Sequence, residues 1–512
     1  MRNCLTTLTV FFCCGGSMAG DDVVDRLAGH LGKTPALVVF VCHGTDQDVA
    51  TVASLVDQTP WKLFCRSSKP GGLERLRGWA RDREVLGSRV SVVDDESMSL
   101  CLASEMADAV VLAPGVDFAL YEVETMRVLR PGGLGVSPGK LIVKPKRSAV
   151  DEWRHPYHEP DNNVVSRDSV ARLPGELRFQ THPVFAAMPN QSLFAGGRIF
   201  FFSGHIAFHE REEPLLNTLT VLNAYNGLLL WTRPLHPDFV VHNIAKFATD
   251  REVVFAEGET LWMLDAATGK ELGKFAAPES AIAAGDTDWK WVVQQGHRLW
   301  AALGPPDGRV APYRLKRQMG HWPWDVANDR YSSITNKFGE ARTLAAFAYP
   351  EMKPLWAVRE SEPFDARTLC MDRDRIFALS PERYMVVRSA ETGSPLWRHA
   401  AGDGARALDV VGAAAKHQGW GIGWSTYCCA RAANGVVCIA GPPYRKTVCV
   451  GMEQGDLLWA SDSPSPHPFF LGDALYVMPR VAAPAASCQV VEPRTGKLLD
   501  QFSLGVIGSC TR

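Results

Sequence analysis

One pattern recurs in register along the C-terminal two-thirds of this chain, and it constrains the fold more than any other feature. Val221-Leu-Asn-Ala-Tyr-Asn-Gly-Leu-Leu-Leu-Trp231 returns as Met263–Gly273, Val387–Trp397, Cys449–Trp459 and Val490–Asp500, each time with glycine in the seventh place. Residues 302–312 and 346–356 are weaker members, turning at Asp307-Gly308 and near Met352. The turns then fall at 227, 269, 308, 352, 393, 455 and 496, at intervals of 39 to 44 residues with one of 62. That period is the length of chain one four-stranded propeller blade needs. Asn-Gly or Thr-Gly supplies the positive φ of a tight hairpin, so the apolar runs on either side pair antiparallel. Four residues beyond the turn stand Trp231, Trp356, Trp397 and Trp459, large flat side chains that can fill the space between neighbouring blades. The spacing predicts seven blades, or eight if the interval of 62 hides a degenerate one.

The first 145 residues read differently. Ala36–Val41 is a continuous apolar run, the signature of a strand buried on both faces of a parallel sheet. A helical stretch at 48–58, a strand at 61–65, a helix at 73–82 and strands at 89–93 and 109–113 follow. Alternation of this kind implies right-handed βαβ crossovers and an α/β Rossmann-like domain over 21–145. Before it, Arg2, the apolar stretch Leu5–Cys14 and the small residues Ser17-Met18-Ala19 have the three parts of a secretory signal over 1–19. The expected location is therefore periplasmic or in the cell envelope. No later segment has the ~20 apolar residues of a membrane helix. A net charge of −2 argues against nucleic acid, which needs a basic excess. The remaining chain divides into a connecting segment, 146–176, and the propeller, 177–512.

Leu120-Tyr-Glu-Val-Glu-Thr-Met-Arg-Val-Leu-Arg-Pro-Gly-Gly133 resembles the helix and Pro-Gly-Gly passage of class I S-adenosylmethionine-dependent methyltransferases. The resemblance implies a Gly-x-Gly-x-Gly cofactor loop after the first strand, where Cys42-His43-Gly44-Thr45-Asp46 keeps only Gly44. It also implies a ribose-binding acid at the end of the second strand, where Cys65-Arg66 stands instead. Asp94 and Asp95 hold the place of an adenine-side contact. The expectation is a methyltransferase-like domain that has lost its cofactor. The "Leu-x-Ala-x-x-Gly-x-x-Leu-Trp" repeat is similar to that of pyrroloquinoline-quinone (PQQ) dehydrogenases and of lipoprotein propellers in outer-membrane assembly machines. Asp151–Asp168 resembles the connecting segment of a bacterial family that joins the two kinds of domain, and His321–Ser332 is a looser copy of it. Cys428-Cys429 is then the candidate for the vicinal disulfide found beside the quinone in PQQ enzymes. The alternatives for it are two buried thiols, or partners for Cys438 and Cys449.

His155, His158, Glu159 and Asp161 have metal-ligand chemistry close together, but one His-x-x-His pair cannot complete a tetrahedral set. With Asn162 and Asn163 they are expected to tie the connecting segment onto the propeller by hydrogen bonds, and no metal is expected. Trp322, Trp324 and Trp420 could stack on sugars, though core packing is the ordinary fate of tryptophan. The reading is an exported, non-catalytic binding or scaffold protein with an envelope protein or carbohydrate as ligand and no cofactor. The alternatives are an oxidoreductase using PQQ with Ca2+, and a methyltransferase using S-adenosylmethionine.

Overall fold

The computed structural model describes residues 9–11, 20–32, 34–67, 71–94, 97–171, 177–181, 192–203, 214–237, 239, 244–306, 339–404, 406–412, 429–440, 444–462, 465, 468–478 and 487–504.

The N-terminal part is one mixed, Rossmann-like sheet with helices. Its strands are β1 (Thr9–Phe11), β2 (Leu37–Val41), β3 (Lys62–Ser67), β4 (Val90–Asp94), β5 (Ala107–Leu112), β6 (Leu129–Ser137) and β7 (Lys140–Val143), in the order β1-β7-β6-β5-β2-β3-β4. Strands β4, β3, β2, β5 and β6 run parallel, and β7 and β1 are antiparallel additions. Val38 to Val41 are buried on both faces, as a continuous apolar run requires. Of the expected leader, only Thr9–Phe11 falls within the described residues, and it pairs with Lys140–Ile142.

The rest is mostly β. Six four-stranded antiparallel meanders cover 192–234, 246–275, 288–365, 370–400, 430–461 and 469–503, here sheets I to VI. Their first strands are Ser192–Ala195, Lys246–Ala248, Asp288–Gln295, Cys370–Asp372, Ala430–Ala433 and Phe469–Leu471. The first strands of sheets I, II and III lie side by side, as do those of IV, V and VI. Such an arrangement is consistent with a β-propeller.

The separate unit expected at 302–312 is corrected by the structure. Arg298–Gly304 and Glu340–Ala348 pair directly as the second and third strands of sheet III, so positions 308 and 352 fall within the span of one sheet. Gly308 itself lies outside the described residues. Six sheets, not seven, stand among those described, and the long interval 393–455 holds a strand, a short helix (Arg406–Val411) and the start of sheet V.

The repeat's chemistry explains how the sheets join. Trp231 of sheet I lies on Gly269 of sheet II, where an added Cβ would come within 2.7 Å of the indole. Its Nε1 donates to Ala266 O at 3.1 Å. Trp397 repeats this on Gly455 and Met452 O, and Trp459 on Gly496 and Pro493 O. Trp356 covers Gly393, but Trp300 takes the matching carbonyl of Ala390, and the Trp356 Nε1 has no partner among the described residues. Between sheets II and III both halves of the lock are replaced. Gly273 stands where the tryptophan belongs, Phe275 folds over it, and Met352 holds the turn at φ 56°.

Candidate functional site

Two places could hold a ligand in these folds, the carboxyl edge of the parallel sheet and the centre of the propeller. At the first, the loop after β2 leads into helix α1 (Asp46–Gln58) through a capping box, in which Thr45 caps and Asp48 answers. The Asp48 carboxylate accepts from Thr45 N at 2.9 Å and His43 N at 3.2 Å. The His43 and Thr45 amides of the loop are thus already taken. Gly44 is needed for packing within the chain, since a Cβ there would sit 1.8 Å from Gly72 O. Next to it, burial and the neighbouring Asp48 push the Cys42 thiol up to about 12, so it stays protonated. At the end of β3 the fully buried Arg66 guanidinium turns across the sheet edge and donates to Ser67 O, Ser97 O (2.5 Å) and Ser99 O (2.9 Å). A ribose would need that volume and an acid there. Asp94 ends β4, and Asp95 lies outside the described residues. These residues do not fit S-adenosylmethionine.

At the second place the chain supplies its own plug. Residues 153–163 of the connecting segment meet all six first strands, in ring order. Trp153 and Phe194 exchange backbone hydrogen bonds at 2.9 and 2.8 Å on sheet I, and Ala248 N of sheet II donates to Arg154 O at 2.9 Å. Gln294 N of sheet III donates to His155 Nε2 at 3.1 Å. Met371 N of sheet IV donates to Pro160 O at 2.9 Å, and Ala432 N of sheet V to Asp161 O at 3.0 Å. Asn162 Nδ2 bridges Leu369 O (2.6 Å) and Ala430 O (3.1 Å). Asn163 pairs in both directions with the backbone of Phe470 in sheet VI, at 2.7 and 2.8 Å. His158 and Asn162 take positive φ, at 77° and 58°, so the segment can curl inside the ring. Among the described residues a cavity of about 10 Å3 lies beside His155, Tyr157, Asn162, Trp291, Arg367 and Leu369, room for one water.

The segment's titratable groups are committed to this hub. His155 Nε2 is an acceptor, which places its proton on Nδ1 toward His158 O, and burial pushes its pKa down to about 4. His158 Nε2 meets Asp151 Oδ2 at 2.7 Å. Burial lifts Asp161 to about 6 and raises Glu159. Among the described residues no three His, Cys, Asp or Glu groups gather as metal ligands.

No family model matches the sequence, and no curated protein matches it. Among solved structures, BamB from Moraxella catarrhalis is similar over 62% of this chain and 72% of its own, at 12% identity and a TM-score of 0.34. A europium-containing methanol dehydrogenase is similar over 62% of this chain and 69% of its own, at 13% identity and a TM-score of 0.39. A putative S-adenosylmethionine-dependent methyltransferase from Methanococcus maripaludis is similar over 22% of this chain and 52% of its own, at 18% identity and a TM-score of 0.20.

Of the candidate PQQ contacts, Cys428 lies outside the described residues. Cys429 is fully buried, with its amide bonded to Arg367 O, and joins the core between sheets IV and V. Cys438 and Cys449 belong to the core on the opposite face of sheet V, so Cys429 is no partner for them. Trp322, Trp324, Trp420 and the segment 321–332 lie outside the described residues. An open groove of about 630 Å3 that composition did not suggest lies between sheets II and III, lined by Lys274, Phe275, Pro278, Phe347, Met352 and Pro354.

Proposed function

We propose that the chain is a non-catalytic binding or scaffold protein of the cell envelope, a propeller of six blades carrying a cofactor-free Rossmann-like module. The observation that carries this reading is the hub. The space all six sheets enclose is taken by residues 153–163, each blade bonded to it through its first strand. A quinone would have to displace those bonds, and a cavity of about 10 Å3 has no room for it. Arg66 and Asp48 close the methyltransferase-like edge in the same way. Among the described residues the groove between sheets II and III, lined by Phe275, Phe347 and Lys274, is a surface open to a partner, protein or carbohydrate.

The test is reconstitution of the full chain with PQQ and Ca2+ in a dye-linked dehydrogenase assay, beside calorimetry with S-adenosylmethionine. No turnover and no binding heat at submillimolar cofactor are expected. Turnover, or micromolar binding, overturns the reading.

A further inference from the structure

Sheet V carries a row of four residues that neither ligand seat uses. Arg431, Cys438, Cys449 and Trp459 are register partners on its four adjacent strands. They share the face turned to sheet VI. Cys438 and Cys449 sit in the core with Phe470, Leu475 and Val477, whereas Ala430 and Ala432 belong to the core on the other side. Trp459 reaches across to Pro493 O of sheet VI at 2.8 Å.

The two thiols are hydrogen-bonding neighbours, both fully buried, and burial together with this contact pushes Cys449 well up. Directly opposed residues on antiparallel strands hold their Cβ atoms ~4.5–5.5 Å apart, close to what a disulfide spans. Arg431 is only 1% exposed, and its Nε and Nη1 have no hydrogen-bond partner among the described residues. Its neighbours along the row are the two thiols and Trp459, and of these only a thiol can become an anion beside the guanidinium.

We propose that Cys438 and Cys449 are an oxidative modification site that closes a cross-strand disulfide, with Arg431 holding the attacking thiolate. The Cys438 thiolate attacks a disulfide oxidant such as oxidised glutathione, forming a mixed disulfide and releasing one glutathione thiolate. That thiolate takes the proton of Cys449, whose sulfur then attacks Cys438 and expels the second glutathione. Two protein thiols become one disulfide, and one oxidised glutathione becomes two reduced ones. Sheet VI follows sheet V in the chain and covers this face, so closure belongs to folding, before sheet VI docks.

The experiment refolds the full chain with oxidised glutathione, blocks free thiols and digests with trypsin without reductant. Cleavage at Arg431, Arg445 or Lys446, and Arg480 puts the two cysteines on separate peptides, 432–445 and 447–480. A linked pair two hydrogens lighter than their sum, lost on reduction, is expected. Recovery of both peptides singly blocked, or linked to other cysteines, overturns the proposal. The rate of closure tests the role of Arg431. In Arg431→Met it should fall about tenfold at pH 7, with the pH–rate profile moved to alkaline values, and Arg431→Lys should restore it. An unmoved profile in Arg431→Met removes Arg431 from the mechanism and leaves only the mass result to stand or fall.

Discussion

At the residue scale the hub depends on a few polar side chains whose partners are remote in sequence. Asn162 bonds to carbonyls 207 and 268 positions away, and Asn163 to a residue 307 away. Asn162→Ala leaves the carbonyls of Leu369 and Ala430 short of a donor, with an expected loss of about 1–3 kcal/mol in urea unfolding. His155 and Asp161 give the hub opposing pH responses. His155 titrates near 4 when folded and near 6.5 when unfolded, so its contribution is complete above 6.5 and is lost as pH falls toward 4. Asp161 titrates near 6 when folded, so the folded state holds its proton and stability is lost as pH rises from 3.8 through 6. Each effect is at most about 3 kcal/mol, and in the native chain they offset one another. Asp161→Asn should therefore grow more stable between pH 4.5 and 6.5, while His155→Gln should grow less stable. Urea midpoints at the two pH values check this, and parallel slopes would contradict it. The residue types of the hub were legible in the sequence, and so was their role in tying the segment down. Which sheet each one reaches was not, because no local pattern encodes a partner hundreds of residues away.

At the scale of elements the repeat was highly legible, since a hairpin turn and a tryptophan four residues on are local signals. Counting blades from glycine turns failed at 308, because the strands on either side of that position are the second and third of one sheet and the hairpin between third and fourth lies near Met352. The lock itself gives a sharp expectation. A Cβ at Gly455 would meet His399 at 2.6 Å and Trp397 at 2.8 Å on a backbone at φ 72°, so Gly455→Ala should cost about 2 kcal/mol or more. At the exceptional joint, Gly273→Trp should destabilise, because the Phe275 ring already occupies the space beside Gly273 and the turn that faces it carries Met352 in place of glycine. Adding Met352→Gly should recover part of the loss, and thermal melts of the single and double variants measure the coupling.

At the scale of the whole molecule, the first repeat's turn is where the two halves meet. Asp108 of β5, 2% exposed, accepts from Asn223 Nδ2 (3.1 Å), Asn226 Nδ2 (3.0 Å) and Leu37 N (2.9 Å), and pairs with Arg130. Phe179 takes the place on Gly227 that a preceding tryptophan fills elsewhere. Asp108→Ala strands these donors, so calorimetry should resolve two unfolding transitions in the variant and one in the native chain. A single unshifted transition would contradict the joint. The hub joins the first strands of all six described sheets, and native-state hydrogen exchange reads its bonds one by one. The amides of Ala248, Met371, Ala432 and Phe470 donate to acceptors in 153–163. They should exchange only with global unfolding, and at the same rate when PQQ and Ca2+ are present. Exchange of these four within seconds, or a change on adding PQQ, would contradict an axis filled by the chain itself.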